Sequence, residues 1–283
     1  AETAAAAGVL SPPHLIAAYT AEPEDPGTLD TALDLPDVGA TPATRAILYQ
    51  AAVHAGLPQQ RAQFIQKALA TDTLDGNYWA RLQIYLPLLA DIAPAPELSW
   101  FAADAARHLL AGGKLREGGA WVALLQQNPQ IDPDITRVLP QLKALDYLAG
   151  HGGLDQATQV AALPLPTGDP RTERLHALFD AVQQPLETSA AGEPLVTLYA
   201  NAPTAPTPAM PQQNVNLWLD LGEAAAKNRI GETVLLSLVG LNATGLTDAE
   251  PEWLARAVAS LRRVGLEEEA RRLAVEAAIT NGL

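Results

Sequence analysis

The chain has 283 residues, a formal net charge of −14 and a 48% hydrophobic composition. That is enough apolar material for one large or two ordinary domains, and too much for a disordered tail. The acidity argues against a general nucleic-acid binder, which needs a basic footprint, and against an anionic membrane surface as the main partner.

Aromatic residues make up only 5%, alanine is abundant, and strictly alternating β-branched runs are almost absent. This pattern predicts an all-α protein of closely packed helices. The absence of cysteine excludes disulfides, thiolate chemistry and zinc ribbons, and it suits an envelope compartment where stray oxidation is avoided. Only four of the 18 basic residues are lysine, a bias of GC-rich bacterial genomes. The opening "AETAAAAGVL" lacks the basic start and apolar core of a secretory leader. It fits equally the residues that follow a small-residue cleavage site and an ordinary loose terminus. No apolar run approaches the roughly 18 residues needed to span a bilayer; "VLLSLVGL" at 234–241 is about the longest, so no membrane insertion is expected.

In chain order, residues 1–45 read as an irregular N-terminal arm with a short helix, because 20–45 is rich in Pro, Asp, Gly and Thr. Residues 46–200 read as a helical-hairpin region. "AAVHAGLPQQRAQFIQKAL" turns at Gly56-Leu57, with Pro58 starting the next helix. In "NYWARLQIYLPLLADI", Pro87 is expected to kink or end the helix. "ARHLLAGGKLREGGAWVALL" turns at Gly112-Gly113, and "LDYLAGHGGLDQATQVAAL" turns over Gly150 to Gly153. A weaker candidate places Leu195 after a turn. Residues 201–214, with four prolines, read as an extended connection, and residues 215–283 as C-terminal helical repeats. There "GEAAAKNRIGETVLLSLVGL" turns near Asn228.

The last stretch, "LRRVGLEEEARRLAVEAAITNGL", is the most explicit. Leu254, Ala257, Val258, Leu261 and Val264 form one apolar stripe, Arg262 and Arg263 suit the helix C-terminus, and Gly265 supplies a left-handed stop. Glu267, Glu268 and Glu269 then occupy a first turn, with Glu267 and Glu268 four residues before Arg271 and Arg272.

The leucine or isoleucine after each turn falls at Leu57, Leu115, Leu154, Leu195, Ile230 and Leu266, so the first interval is 58 residues and the last four are 39, 41, 35 and 36. Periods of about 34 to 47 residues belong to helical-hairpin repeats. "WLDLG" at 218–222 puts Trp218, Leu221 and Gly222 in the opening W-x-x-L-G of the tetratricopeptide pattern. The chain therefore resembles a degenerate member of the tetratricopeptide-like α-solenoids, well over about its last 70 residues and by period alone in the middle. It departs from the pattern at Ala225, where an aromatic is expected, at Val234, where a small residue is expected, and at Leu254, where a tryptophan would stand. The resemblance implies a right-handed superhelix of stacked antiparallel hairpins.

Motifs for chemistry are few. His14, His54, His108, His151 and His176 form no i,i+4 pair and no H-E-x-x-H, so no metal site is expected; His151 reads as a polar turn residue. "AGGKLREGG" lacks Walker spacing, G-x-S-x-G is absent, and no cofactor motif is found. Glu97 in "PELSW" invites comparison with the Glu-Ser pair of lytic transglycosylases, but a leucine separates it from Ser99, which reads as a helix N-cap. Trp79, Trp100 and Trp121 recur every 21 residues, with Tyr78 and Tyr85 nearby. On one face they would form a partner-binding groove; otherwise they fill gaps between alanine-rich helices.

Together these features predict a non-catalytic interaction scaffold of a bacterial cell envelope, in the periplasm or another envelope compartment, with the cytoplasm as the alternative. It would hold a protein or peptide partner, basic or mixed in charge, in an acidic groove bearing aromatics. The alternatives are the helical domain associated with a peptidoglycan-lytic enzyme, and a carrier enclosing an apolar ligand.

Overall fold

The computed structural model describes residues 1–35, 41–70, 76–127, 133–151, 169–183 and 212–283. These are helical throughout, with no strand among them. The chain divides into two compact units, Ala1–Asp146 and Tyr147–Leu283. Leu154, Leu195 and most of the Pro-rich connection at 201–214 lie outside the described residues, although 212–214 already belong to a helix.

The first unit opens with three short helices, α1 (Glu2–Ala6), α2 (Pro12–Tyr19) and α3 (Pro26–Asp30), and a 3-10 turn, Ala32–Asp34. Then come α4 (Pro42–His54), α5 (Pro58–Leu69), α6 (Gly76–Ala90), a second 3-10 segment (Pro96–Phe101), α7 (Ala102–Ala111) and α8 (Leu115–Gln127). Helix α9 (Pro133–Leu148) starts in this unit and ends in the next. Proline opens α2, α3, α4 and α5, where its missing N–H is not needed and its fixed φ favours helix. Asp25 and Thr41 accept the N–H of Thr28 and Thr44 as N-caps. Helix α6 runs three residues beyond Pro87, which sits in its last turn.

The N-terminal 35 residues are short helices joined by irregular backbone. Leu15, Tyr19 and Ala32 are buried, and α1 and α2 pack on α6. Polar side chains pin them: Glu2 accepts from Tyr19 Oη at 2.5 Å and Arg45 Nε at 2.7 Å. Gln50 donates to the carbonyls of Tyr19 and Glu22 at 2.8 and 3.0 Å and accepts from the Glu24 N–H at 2.9 Å. These bonds give irregular backbone the partners that a helix would supply internally.

The second unit holds α10 (Pro170–Gln183), α11 (Gln212–Ala226), α12 (Ile230–Asp248), α13 (Pro251–Arg263) and α14 (Glu267–Thr280). Helix α13 is central and packs against each of the other four. Its predicted stripe, Leu254, Ala257, Val258, Leu261 and Val264, is buried, and so are Arg256, Ser260 and Arg262 on its other sides. Arg174 of α10 reaches the Ala249 carbonyl at 2.7 Å and Asn281 Oδ1 at 3.3 Å, tying both ends of the unit's C-terminal half together.

Three turns share one geometry. At Gly113, Asn228 and Gly265 the backbone is left-handed, with φ of 76°, 53° and 85°. In each case the following N–H reaches five residues back: Lys114 to Leu109 at 2.8 Å, Arg229 to Ala224 at 2.9 Å and Leu266 to Leu261 at 3.0 Å. The left-handed residue itself bonds three back, to Leu110, Ala225 and Arg262 at 3.0 to 3.1 Å. This closes the orphan carbonyls of the helix end and launches the next helix two residues later.

Candidate functional site

The five aromatic candidates fall into three separate clusters. Tyr85 closes a ladder of edge-on rings, Tyr19 to Tyr49 at 5.9 Å and Tyr49 to Tyr85 at 5.4 Å. It is fully buried, and burial holds its hydroxyl protonated far above the ordinary tyrosine range. Tyr78 is buried too; its Oη lies 2.9 Å from His108 Nδ1, and its ring stands edge-on to Trp79 at 5.2 Å. Trp121 is buried edge-on to Phe101 at 6.0 Å.

Tyr78, Tyr85 and Trp121 therefore fill the interior of the first unit and present no surface to a partner as placed. Trp79 is half-buried. Trp100 remains 42% exposed, its ring 5.5 Å from that of Phe101, so it forms the outer end of a stack whose inner end is Trp121. It sits in the 3-10 segment Pro96–Phe101 beside the exposed Glu97. Ser99 lies inside that segment and does not cap a helix: α7 starts at Ala102, with Phe101 in the N-cap position.

The cluster around His108 is perturbed as well. Burial first, and Arg107 to a lesser degree, push the imidazole down to about 4, with Asp104 opposing them. Burial pushes Tyr78 up to about 12. At neutral pH the imidazole is uncharged, and its tautomer sets which of Tyr78 Oη and His108 Nδ1 is the donor. Asp104 is turned toward α5, where it accepts from Gln66 Nε2 at 2.6 Å. Every member thus has a packing or hydrogen-bonding task. Among the described residues no group of three His, Asp or Glu side chains is placed to hold a metal ion.

One surface was not anticipated. On α12 the core-facing positions are Thr233, Ser237 and Leu241, while Leu235, Leu238 and Val239 are 63%, 58% and 56% exposed. The buried hydroxyls bond back along their own helix, Thr233 to the Arg229 carbonyl at 3.0 Å and Ser237 to the Thr233 carbonyl at 2.8 Å. The helix thus buries two hydroxyls alongside Leu241 and leaves Leu235, Leu238 and Val239 outside. The signal was the run "VLLSLVGL", which is apolar around its circumference and so has no readable face. No described helix is long and apolar enough to cross a membrane. A scan against protein-family models, and searches of curated proteins and of solved structures, find no match to the chain.

Proposed function

We propose that this chain is a non-catalytic interaction scaffold, built as a degenerate tetratricopeptide-like α-solenoid and working in a bacterial envelope compartment, the periplasm. Its partner is a protein segment rich in basic and apolar residues. The observation that carries this reading is Trp100, a large aromatic left exposed on the short 3-10 segment that also bears Glu97. Tryptophan at such a position is a typical binding anchor, and the −14 net charge steers a basic segment toward it. Trp79, half-buried, is the second aromatic able to contribute surface.

The test is affinity capture from the source cell at low and high salt, followed by Trp100→Ala. A protein eluted by salt and lost with Trp100→Ala, with affinity down by at least about tenfold, supports the proposal. Recovery of only lipid or glycan, or equal capture by the variant, overturns it and returns the apolar-ligand carrier or the cell-wall reading.

A further inference from the structure

We infer that Arg81 and Tyr85 of α6 form a binding site for a small monocarboxylate, inside the first unit and apart from the Trp100 surface. Both side chains are enclosed, Arg81 at 9% exposure and Tyr85 at 1%. Among the described residues neither Arg81 Nε nor Tyr85 Oη has a hydrogen-bond partner. A polar group buried without a partner forfeits its hydration, and a guanidinium cation forfeits more than a neutral group. Two such atoms on neighbouring side chains are uncommon in a native fold and mark where a further polar partner belongs.

Their placement makes the two residues one site. Tyr78, Arg81 and Tyr85 stand at i, i+3 and i+7 along α6, on one face of the helix. The charge of Arg81 acts on Tyr85, on Tyr78 and on Glu2, which α1 brings against α6. The Tyr85 ring is held by Tyr49, edge-on at 5.4 Å, and Tyr49 by Tyr19 at 5.9 Å. Burial keeps the Tyr85 hydroxyl protonated, so it donates, as every guanidinium N–H of Arg81 does. Two fixed donors select a ligand that accepts.

Charge selects an anion over a water molecule. Glu2 is already engaged by Arg45 Nε at 2.7 Å and Tyr19 Oη at 2.5 Å. Its one negative charge therefore serves two cations, Arg45 and Arg81. Arg107 and Asp104, the other charges felt at Tyr78, oppose each other. The balance is one positive charge in surroundings that hydrate it poorly, which suits a singly charged ligand better than phosphate. A carboxylate answers both donors: its planar oxygen pair accepts from the Arg81 fork, and one oxygen accepts from Tyr85 Oη. Side chains this enclosed admit a small ion and not a polymer.

The experiment is a calorimetric titration of the full chain with sodium acetate at neutral pH, beside sodium phosphate and a sodium chloride control of equal ionic strength. Arg81→Met and Tyr85→Phe are compared, with helical circular dichroism reporting that each is folded. The wild type should bind acetate saturably at a single site, and acetate should raise its urea midpoint above that in chloride. Arg81→Met should lose both effects, because methionine brings bulk without charge. Tyr85→Phe should bind acetate roughly 3–10-fold more weakly through the loss of one hydrogen bond. This variant removes a single oxygen and decides the matter if Arg81→Met does not fold. A wild type without saturable acetate binding up to about 100 mM overturns the proposal and leaves solvent as the partner of both atoms. Acetate binding that survives in Arg81→Met, or an unchanged affinity in Tyr85→Phe, overturns the site. Phosphate binding without acetate binding overturns the carboxylate.

Discussion

The guanidinium carbon of Arg256 lies 4.1 Å from the centroid of the Trp218 ring, inside the second unit and almost out of contact with water. The W-x-x-L-G stretch thus seats an arginine: Trp218 covers it and Gly222 makes room for it, while Leu221 is buried in the core. A desolvated cation over an indole face contributes up to about 2 kcal/mol. A double-mutant cycle of Trp218→Leu and Arg256→Met, followed by urea unfolding, should therefore return a coupling of about 1–2 kcal/mol. Additive losses would mean that the stack contributes nothing beyond packing.

Gly222 leads to a prediction with a built-in sign control. A Cβ there would fall 1.5 Å from Arg256 Nη2 and 2.4 Å from its Cζ, so the guanidinium must leave its seat. A Cβ on Gly231 would meet nothing within 4 Å. Gly222→Ala should cost about 1–3 kcal/mol through overpacking, and Gly231→Ala should gain roughly 0.5–1 kcal/mol through helix propensity. Opposite shifts in the urea midpoint would confirm the two environments; a gain in both would refute the seat.

The same residues show what could be read from the sequence and what could not. Turns were legible because they depend on local chemistry: Gly265 and Asn228 take the left-handed backbone that glycine and asparagine tolerate, and Pro58 starts its helix. The stripe of α13 was legible because a 3.6-residue period marks a buried face. The aromatic groove was not. Trp79, Trp100 and Trp121 lie on α6, on a 3-10 segment and on α8, so a constant spacing of 21 residues fixes no common direction. The exposed face of α12 was hidden for the opposite reason, since a run apolar on all sides carries no phase. The ordering of residues 1–35 depends on contacts from Arg45, Gln50 and Lys67, residues distant in sequence.

The glutamate triplet of α14 separates into unequal parts. Glu267 accepts from Arg262 Nε at 2.8 Å and from Arg271 Nε at 2.7 Å, and Arg262, with an 8% exposed side chain, also donates to the Ala181 carbonyl at 2.7 Å. Glu268 pairs at 2.5 Å with Arg272, and both side chains are at least half exposed. Glu267→Gln should cost about 1–3 kcal/mol, because it strips the carboxylate from a buried guanidinium. Glu268→Gln should cost a few tenths of a kcal/mol, screened further by salt. Equal losses in chemical denaturation would return Glu267 to a surface role.

His108 predicts how stability depends on acid. Its imidazole faces Tyr78 from α6 and Asp104 and Arg107 from its own helix, and burial holds it down at about 4, against about 6.5 when unfolded. The unfolded chain therefore takes up the proton first. The stabilisation is complete above pH 6.5 and is lost as pH falls toward 4. By linkage the loss at pH 5 is about 2 kcal/mol. Glu2 acts in a different window: burial opposes its ionisation, but hydrogen bonds from Arg45 and Tyr19 outweigh that and hold it below 4.5. Its contribution is therefore full above the ordinary carboxylate value of 4.5 and is lost as pH falls from there through the lowered folded value. Urea midpoints measured between pH 7 and 5 should fall in the wild type and stay nearly level in His108→Gln, which can still hydrogen-bond Tyr78 and does not titrate. The His108 resonance, assigned by its loss in His108→Gln, would contradict the buried, neutral imidazole if it titrated near 6.5 in the folded protein. So would a wild-type profile as flat as that of the variant.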